Sequence, residues 1–114
     1  MEYKKNLSEP WFSLIKVGLK VCEGRLHKGD FAKMEPGDVI IFTNQELGFH
    51  REYQVIVTRL SRYNTFENYL RKETIKRCLP GISNMQDGLS VYYKYFSKES
   101  EEKYGIVAIE FELL

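Results

Sequence analysis

The strand-like stretches of this chain are split between its first half and its far end, with helical patterns filling the interval. Residues 39–42 (Val-Ile-Ile-Phe) form an unbroken apolar run. In residues 49–60, Tyr53, Val55, Val57 and Arg59 alternate with Gln54, Ile56, Thr58 and Leu60. Residues 21–26 alternate more briefly, and residues 105–113 close the sequence with Glu110 and Glu112 on one side. A period of two over such lengths reads as strand. Strands separated in this way must pair across the helices between them, which predicts the α+β class. Curling toward closure hides the sheet's edges. The expectation is a mostly antiparallel, partly closed barrel with flanking short helices. At 114 residues the chain is read as one domain, residues 1–114.

Local signals place the helices. Ser8-Glu9-Pro10 reads as a helix start with Ser8 as cap; Trp11, Leu14 and Ile15 follow at helical spacing, and Gly18 stops the helix. Asn64 with Glu67 three residues on reads as a capping box, ahead of Phe66, Tyr69 and Leu70. Residues 74–79 form another short helix, stopped by Pro80-Gly81. Leu89, Tyr92, Tyr93 and Phe96 mark a further segment whose rings face the barrel. Glu99, Glu101 and Glu102 are read as a solvated helix. Glu35-Pro36-Gly37-Asp38 is a turn, because Pro presets one φ and Gly supplies a positive one.

Seventeen Lys and Arg stand against sixteen Asp and Glu. That balance argues against a strong nonspecific polyanion binder and leaves room for a local basic groove. Cys22 and Cys78, even with His27 and His50, lack the spacing of a four-ligand zinc site, so no metal is expected. They are read as two buried free thiols in a reducing compartment. The first residues carry no apolar stretch after their lysines, and no run approaches the ~18 apolar residues of a membrane span. A soluble, cytoplasmic protein without a membrane partner is expected.

The densest chemistry lies in Gly18-Leu19-Lys20-Val21-Cys22-Glu23-Gly24-Arg25. On a strand Glu23 and Arg25 share a face, and Lys20 sits at the strand's mouth. An Arg held by a carboxylate presents its remaining donors as a planar fork, suited to phosphate or base edges. From chemistry alone the better reading of the same residues is a surface ion pair worth ~0–1 kcal/mol. Tyr63, at an element boundary beside Arg62, suits base stacking or plain packing. Trp11 and Phe12 read as core, and Arg51, Arg59 and Arg62 as an extension of a basic track or a solvated strand face.

The octapeptide resembles the signature of the ASCH domain, a PUA-like family with the pattern G-x-K-x-x-E-x-R. Gly18, Lys20, Glu23 and Arg25 fill every fixed position. Glu9-Pro10-Trp11-Phe12 before it, the Pro-Gly-Asp turn before an Ile-rich strand, and Tyr63-Asn64-Thr65-Phe66-Glu67 agree with the family's order. The resemblance implies a PUA-like barrel of about six strands, with a cleft floored by the signature. It implies RNA or a nucleotide-derived small ligand as partner and no cofactor. The implied ligand contacts are Lys20, Glu23, Arg25, Arg62 and Tyr63.

Two alternatives follow from the same resemblance. One is a small hydrolase acting on acetylated cytidine or on RNA, with Lys20 and Glu23 as catalytic residues. In the amidohydrolase branch a Thr nucleophile stands where this chain has Glu23, so Glu23 would have to activate water instead. The other is a coactivator-type protein-interaction module.

Overall fold

The computed structural model describes Met1–Leu114. In chain order the elements are β1 (Glu2–Asn6), α1 (Trp11–Lys16), β2 (Cys22–Leu26), a 3-10 turn (Gly29–Ala32), β3 (Val39–Asn44), β4 (Arg51–Tyr63), α2 (Phe66–Glu73), α3 (Ile75–Cys78), α4 (Met85–Tyr93), α5 (Lys98–Tyr104) and β5 (Ile106–Leu113). The strands form one sheet of order β1-β3-β4-β5-β2. β1 runs parallel to β3, and every other pairing is antiparallel. The α+β class and the curled, barrel-like sheet are as expected. The strand count is five rather than six, and β1 and β2 remain as unpaired edges, so the sheet is a half-barrel. β1 escapes a sequence reading because Tyr3 is its only buried side chain. Its exposed Lys4 and half-buried Lys5 are the charges an edge strand carries.

Alternation along β5 divides the interior in two. Val107, Ile109 and Phe111 face one cluster, which also holds Phe12, Ile15, Ile40, Phe42, Val55 and Val57. Ile106 and Ala108 face the other, under the helices, with Cys22, Phe66, Tyr69, Leu70, Cys78, Leu79 and Tyr92. Cross-strand partners share a face. Glu23 pairs with Ile109 and Arg25 with Val107, so both charged residues project on the side of the first cluster.

The helix starts differ from expectation in detail. Ser8 does not cap α1; the Glu9 carboxylate accepts from the Ser13 N–H at 2.8 Å instead. Thr65, not Asn64, caps α2, accepting from the Asn68 N–H at 3.1 Å. Glu67 does not close a capping box but pairs with Arg71. The orphan N–H of Phe66 is taken by Glu101 at 2.7 Å. Glu101 is therefore buried, and it also accepts from the Tyr93 hydroxyl at 2.8 Å. A partner 35 residues away in sequence leaves no local signal. Cys22 and Cys78 are free and buried, as read. No helix is long and apolar enough to cross a membrane.

Candidate ligand-binding cleft

The gap between the two sheet edges is a cleft of about 280 Å³. Glu23, Gly24 and Arg25 of β2 form one wall, and Asn6, Leu7 and Ser8 at the end of β1 form the facing one. Trp11, Leu79, Val91, Tyr92, Tyr95 and Phe96 complete it with apolar and aromatic surface. The Arg25 guanidinium reaches across from one edge to the other, donating to the Asn6 carbonyl at 3.5 Å. At the rim the Ser8 and Tyr95 hydroxyls lie 3.3 Å apart.

Gly18 ends α1 with φ +83°, a left-handed turn that a side chain would strain. The chain then drops Lys20 beneath the cleft. Its side chain is fully buried, and its ammonium donates to the Cys22 carbonyl at 2.7 Å and the Cys78 carbonyl at 2.5 Å. The third contact is the Glu23 carboxylate, at 3.2 Å. An ammonium has three donors, and all three are used. Lys20 thus ties β2 to the end of α3, beside the backbone bond from the Val21 N–H to the Arg77 carbonyl at 3.1 Å.

Glu23 is held from several sides. One carboxylate oxygen takes Lys20 and the Gly24 N–H, at 3.1 Å; the other takes Arg25 Nε at 3.3 Å. Burial alone pushes its pKa up, but the charges of Lys20 and Arg25 outweigh burial and hold it below the usual carboxylate value. A carboxylate offers about four acceptor positions. Lys20, the Gly24 N–H and Arg25 use three, and the one left belongs to the oxygen shared with Arg25. Two cations against one carboxylate leave the floor with a single net positive charge. Arg25 also lies over the Phe31 ring, 5.1 Å from its centroid, which limits how it can turn.

Gly24 is needed for a reason the sequence does not show. A Cβ there would lie 2.5 Å from a ring carbon of Tyr69. Tyr69 packs against this bare backbone, and its hydroxyl meets that of Tyr92 at 2.8 Å. Burial pushes both phenols well above their ordinary pKa.

Lys20, Glu23 and Arg25 therefore converge. Arg62 and Tyr63 do not join them. Tyr63 turns to the helix side, where its hydroxyl donates to Glu73 at 2.5 Å and its pKa is pushed up to about 12 by burial and by that carboxylate. Arg62 lines a separate groove with α5. Arg51 and Arg59 are committed to ion pairs, Arg51 with Glu9 at 3.2 Å and Arg59 with Glu73 at 2.6 Å and Glu110 at 3.2 Å. Trp11 is only partly buried and lines the cleft. Of the aromatic run after α4's start, Tyr92 is buried, but Tyr95 is 55% exposed at the cleft mouth. Tyr95 falls outside the stripe of Leu89, Tyr92 and Phe96, and that misfit is the one signal that marks it. Asn6, Ser8 and Leu79 have no such signal.

A five-stranded, curled half-barrel with flanking helices defines a PUA-like fold. The ASCH domain family model matches residues 6–114, and the chain belongs to that family. It is similar over its whole length to the crystal structure of hypothetical protein PH0355, at 37% identity, TM-score 0.90 and full coverage of both chains. It is likewise similar to the solution structure of protein PF0455 from Pyrococcus furiosus, at 39% identity and TM-score 0.80, covering 100% of this chain and 98% of that one. An ASCH domain from Lactobacillus crispatus JV V101 shares the fold at 16% identity and TM-score 0.65, covering 97% of this chain and 79% of that one. No curated protein matches the chain. The family is generally thought to bind RNA.

Proposed function

We propose that the cleft binds one nucleobase, either of single-stranded RNA or of a modified nucleotide, without turning it over. The observation that carries this reading is the pairing of an aromatic wall with a charged floor between two unpaired sheet edges. Trp11, Tyr95 and Phe96 offer ring surface for a planar heterocycle, and stacking of this kind is worth ~1–3 kcal/mol per base. The vacant acceptor position of Glu23 suits an exocyclic amine or ring N–H. The free donors of Arg25 suit a neighbouring carbonyl, ring nitrogen or phosphate. A volume of about 280 Å³ suits one small ligand rather than a helix or a duplex.

Binding is favoured over hydrolysis by the position of Lys20. A general base needs a free lone pair, and an oxyanion stabiliser needs a free donor aimed at the reacting atom. Lys20 is fully buried with its three donors spent on two carbonyls and Glu23. Its role in this reading is to hold Glu23 in place.

The test is titration with a nucleoside and nucleotide panel that includes acetylated cytidine, followed by Trp11 fluorescence and mass spectrometry. Binding of at least one member is expected, weakened about tenfold or more in Arg25→Ala and Tyr95→Ala, with every ligand recovered at unchanged mass. A mass shift that Glu23→Gln abolishes would replace this reading by the hydrolase. No binding of any member at low salt would end it.

A further inference from the structure

A second groove lies at the far end of β4, between Arg62, Asn64 and Thr65 on one side and α5 on the other. Its volume is about 640 Å³, and it has almost no apolar lining. Its arginine differs from the others in the molecule. Of the six arginines in the chain, Arg25, Arg51, Arg59, Arg71 and Arg77 are each paired with a carboxylate, and Arg62 alone is not. Lys98 and Lys103, on α5, share the groove with Arg62 and are also outside every ion pair. Lys28 joins them. Its ammonium lies 5.0 Å from the Tyr104 ring, and that of Lys103 lies 5.2 Å from the same ring. The acidic residues there do not neutralise the set. Glu101 and Glu102 are two carboxylates against four cations, and Glu101 is buried with its oxygens occupied by the Phe66 N–H and the Tyr93 hydroxyl.

Register connects this groove to the cleft. Arg25 pairs with Val107 across β2 and β5, and Val107 pairs with Arg62 across β5 and β4. The two guanidinium-bearing residues therefore project from one face of the sheet, two strand spacings or about 10 Å apart. His27, two residues beyond Arg25, lies close enough to Arg62 for that charge, after burial, to lower its pKa.

We propose that the groove of Arg62, Lys98, Lys103 and Lys28 is a phosphate track for single-stranded RNA, continuing from the base held in the cleft. The proposal rests on the nucleobase reading of that cleft and extends it from one nucleotide to a strand. Grooves that follow a single strand combine unpaired cations along the backbone with a stacking platform, and the two sites supply these parts separately. Lysines over an aromatic ring keep their charge in place without a carboxylate to quench it. The near-neutral composition does not oppose the track, because four cations outside ion pairs meet around this one groove.

The experiment compares the intact protein with the Lys28→Ala/Lys98→Ala/Lys103→Ala variant. The probes are a labelled random-sequence RNA of about a dozen nucleotides, followed by anisotropy between about 50 and about 200 mM salt, and a mixture of nucleoside monophosphates. Each phosphate contact on a single strand contributes about 0.7 to the slope of log affinity against log salt, so the variant should lose about 2 from that slope. Its affinity for the monophosphates should stay within about twofold of the parent, since none of the three lysines lines the cleft. An unchanged slope overturns the track. So does equal competition by polyglutamate, which would make the groove a general anion surface. Loss of the slope in the variant, with no monophosphate binding by either protein, would keep the track and remove the reading of the cleft.

Discussion

Lys20 shows how one residue type can be identified from sequence while its task is not. A lysine in a short charged motif suggests an exposed contact with an anion. The structure buries it completely, with two carbonyls and a carboxylate as its polar partners. Removing one member of a buried ion pair strands the other charge, at a cost of about 3–5 kcal/mol. Lys20→Met should therefore lower stability by that amount in urea unfolding at neutral pH. The Lys20→Met/Glu23→Gln double variant should recover a substantial part, because no fully buried charge is then left unpaired and Arg25, which loses its partner, is partly exposed to solvent. A single variant within 1 kcal/mol of the parent, on the scale of exposed pairs, would show that the pair is solvated. Glu23 and Arg25 were legible as a pair on one strand face, because a period of two requires it. Which side of the sheet they face was not legible, because that depends on β5 pairing beside them.

Between elements, a charge network adds to the apolar packing that holds α2 and α3 on the sheet. Glu73, at the end of α2, accepts from Arg59 of β4 at 2.6 Å and from Arg77 of α3 at 3.1 Å. Arg77 also pairs with Glu110 of β5, and Arg59 meets Glu110 at 3.2 Å. Hydrogen bonding from Arg59 leads the causes that bring Glu73 from an ordinary 4.5 down to about 2. Burial opposes that shift, and Tyr63 and Arg77 assist it. A depressed folded-state pKa adds stability above the unfolded value, and that stability is lost as the pH falls toward the folded one. The urea midpoint should hold steady above about pH 5 and decline from 4.5 toward 2. Glu73→Gln should start lower and decline less over that window. Equal slopes for the two proteins would remove Glu73 as the cause. Sequence reading placed α2 well, because Phe66, Tyr69 and Leu70 have helical spacing. It misassigned the cap, because Asn64 and Thr65 are both good capping residues and only backbone geometry chooses between them.

For the whole molecule, β4 is the central strand of five, paired with β3 over Arg51–Ile56 and with β5 over Val55–Tyr63. Opening it requires breaking both ladders and exposing Val55 and Val57, which are almost fully buried. Amide exchange should be slowest at Val55, Val57 and Ile109, and faster by orders of magnitude in β1, which pairs on one side only. Equal protection of β1 would mean that its free edge is covered in solution. Alternation and helical spacing determined, without any structure, that this chain alternates strands and helices in an α+β order, and the signature octapeptide marked where its charges concentrate. Those properties depend on neighbours one to four residues apart. Only the tertiary structure decided that two edges stay unpaired, that the gap between them becomes the cleft, and that Tyr95 rather than Tyr63 stands at its mouth. Each of these depends on residues brought together from opposite ends of the chain, where burial and charge compensation are properties of the assembled sheet and helices.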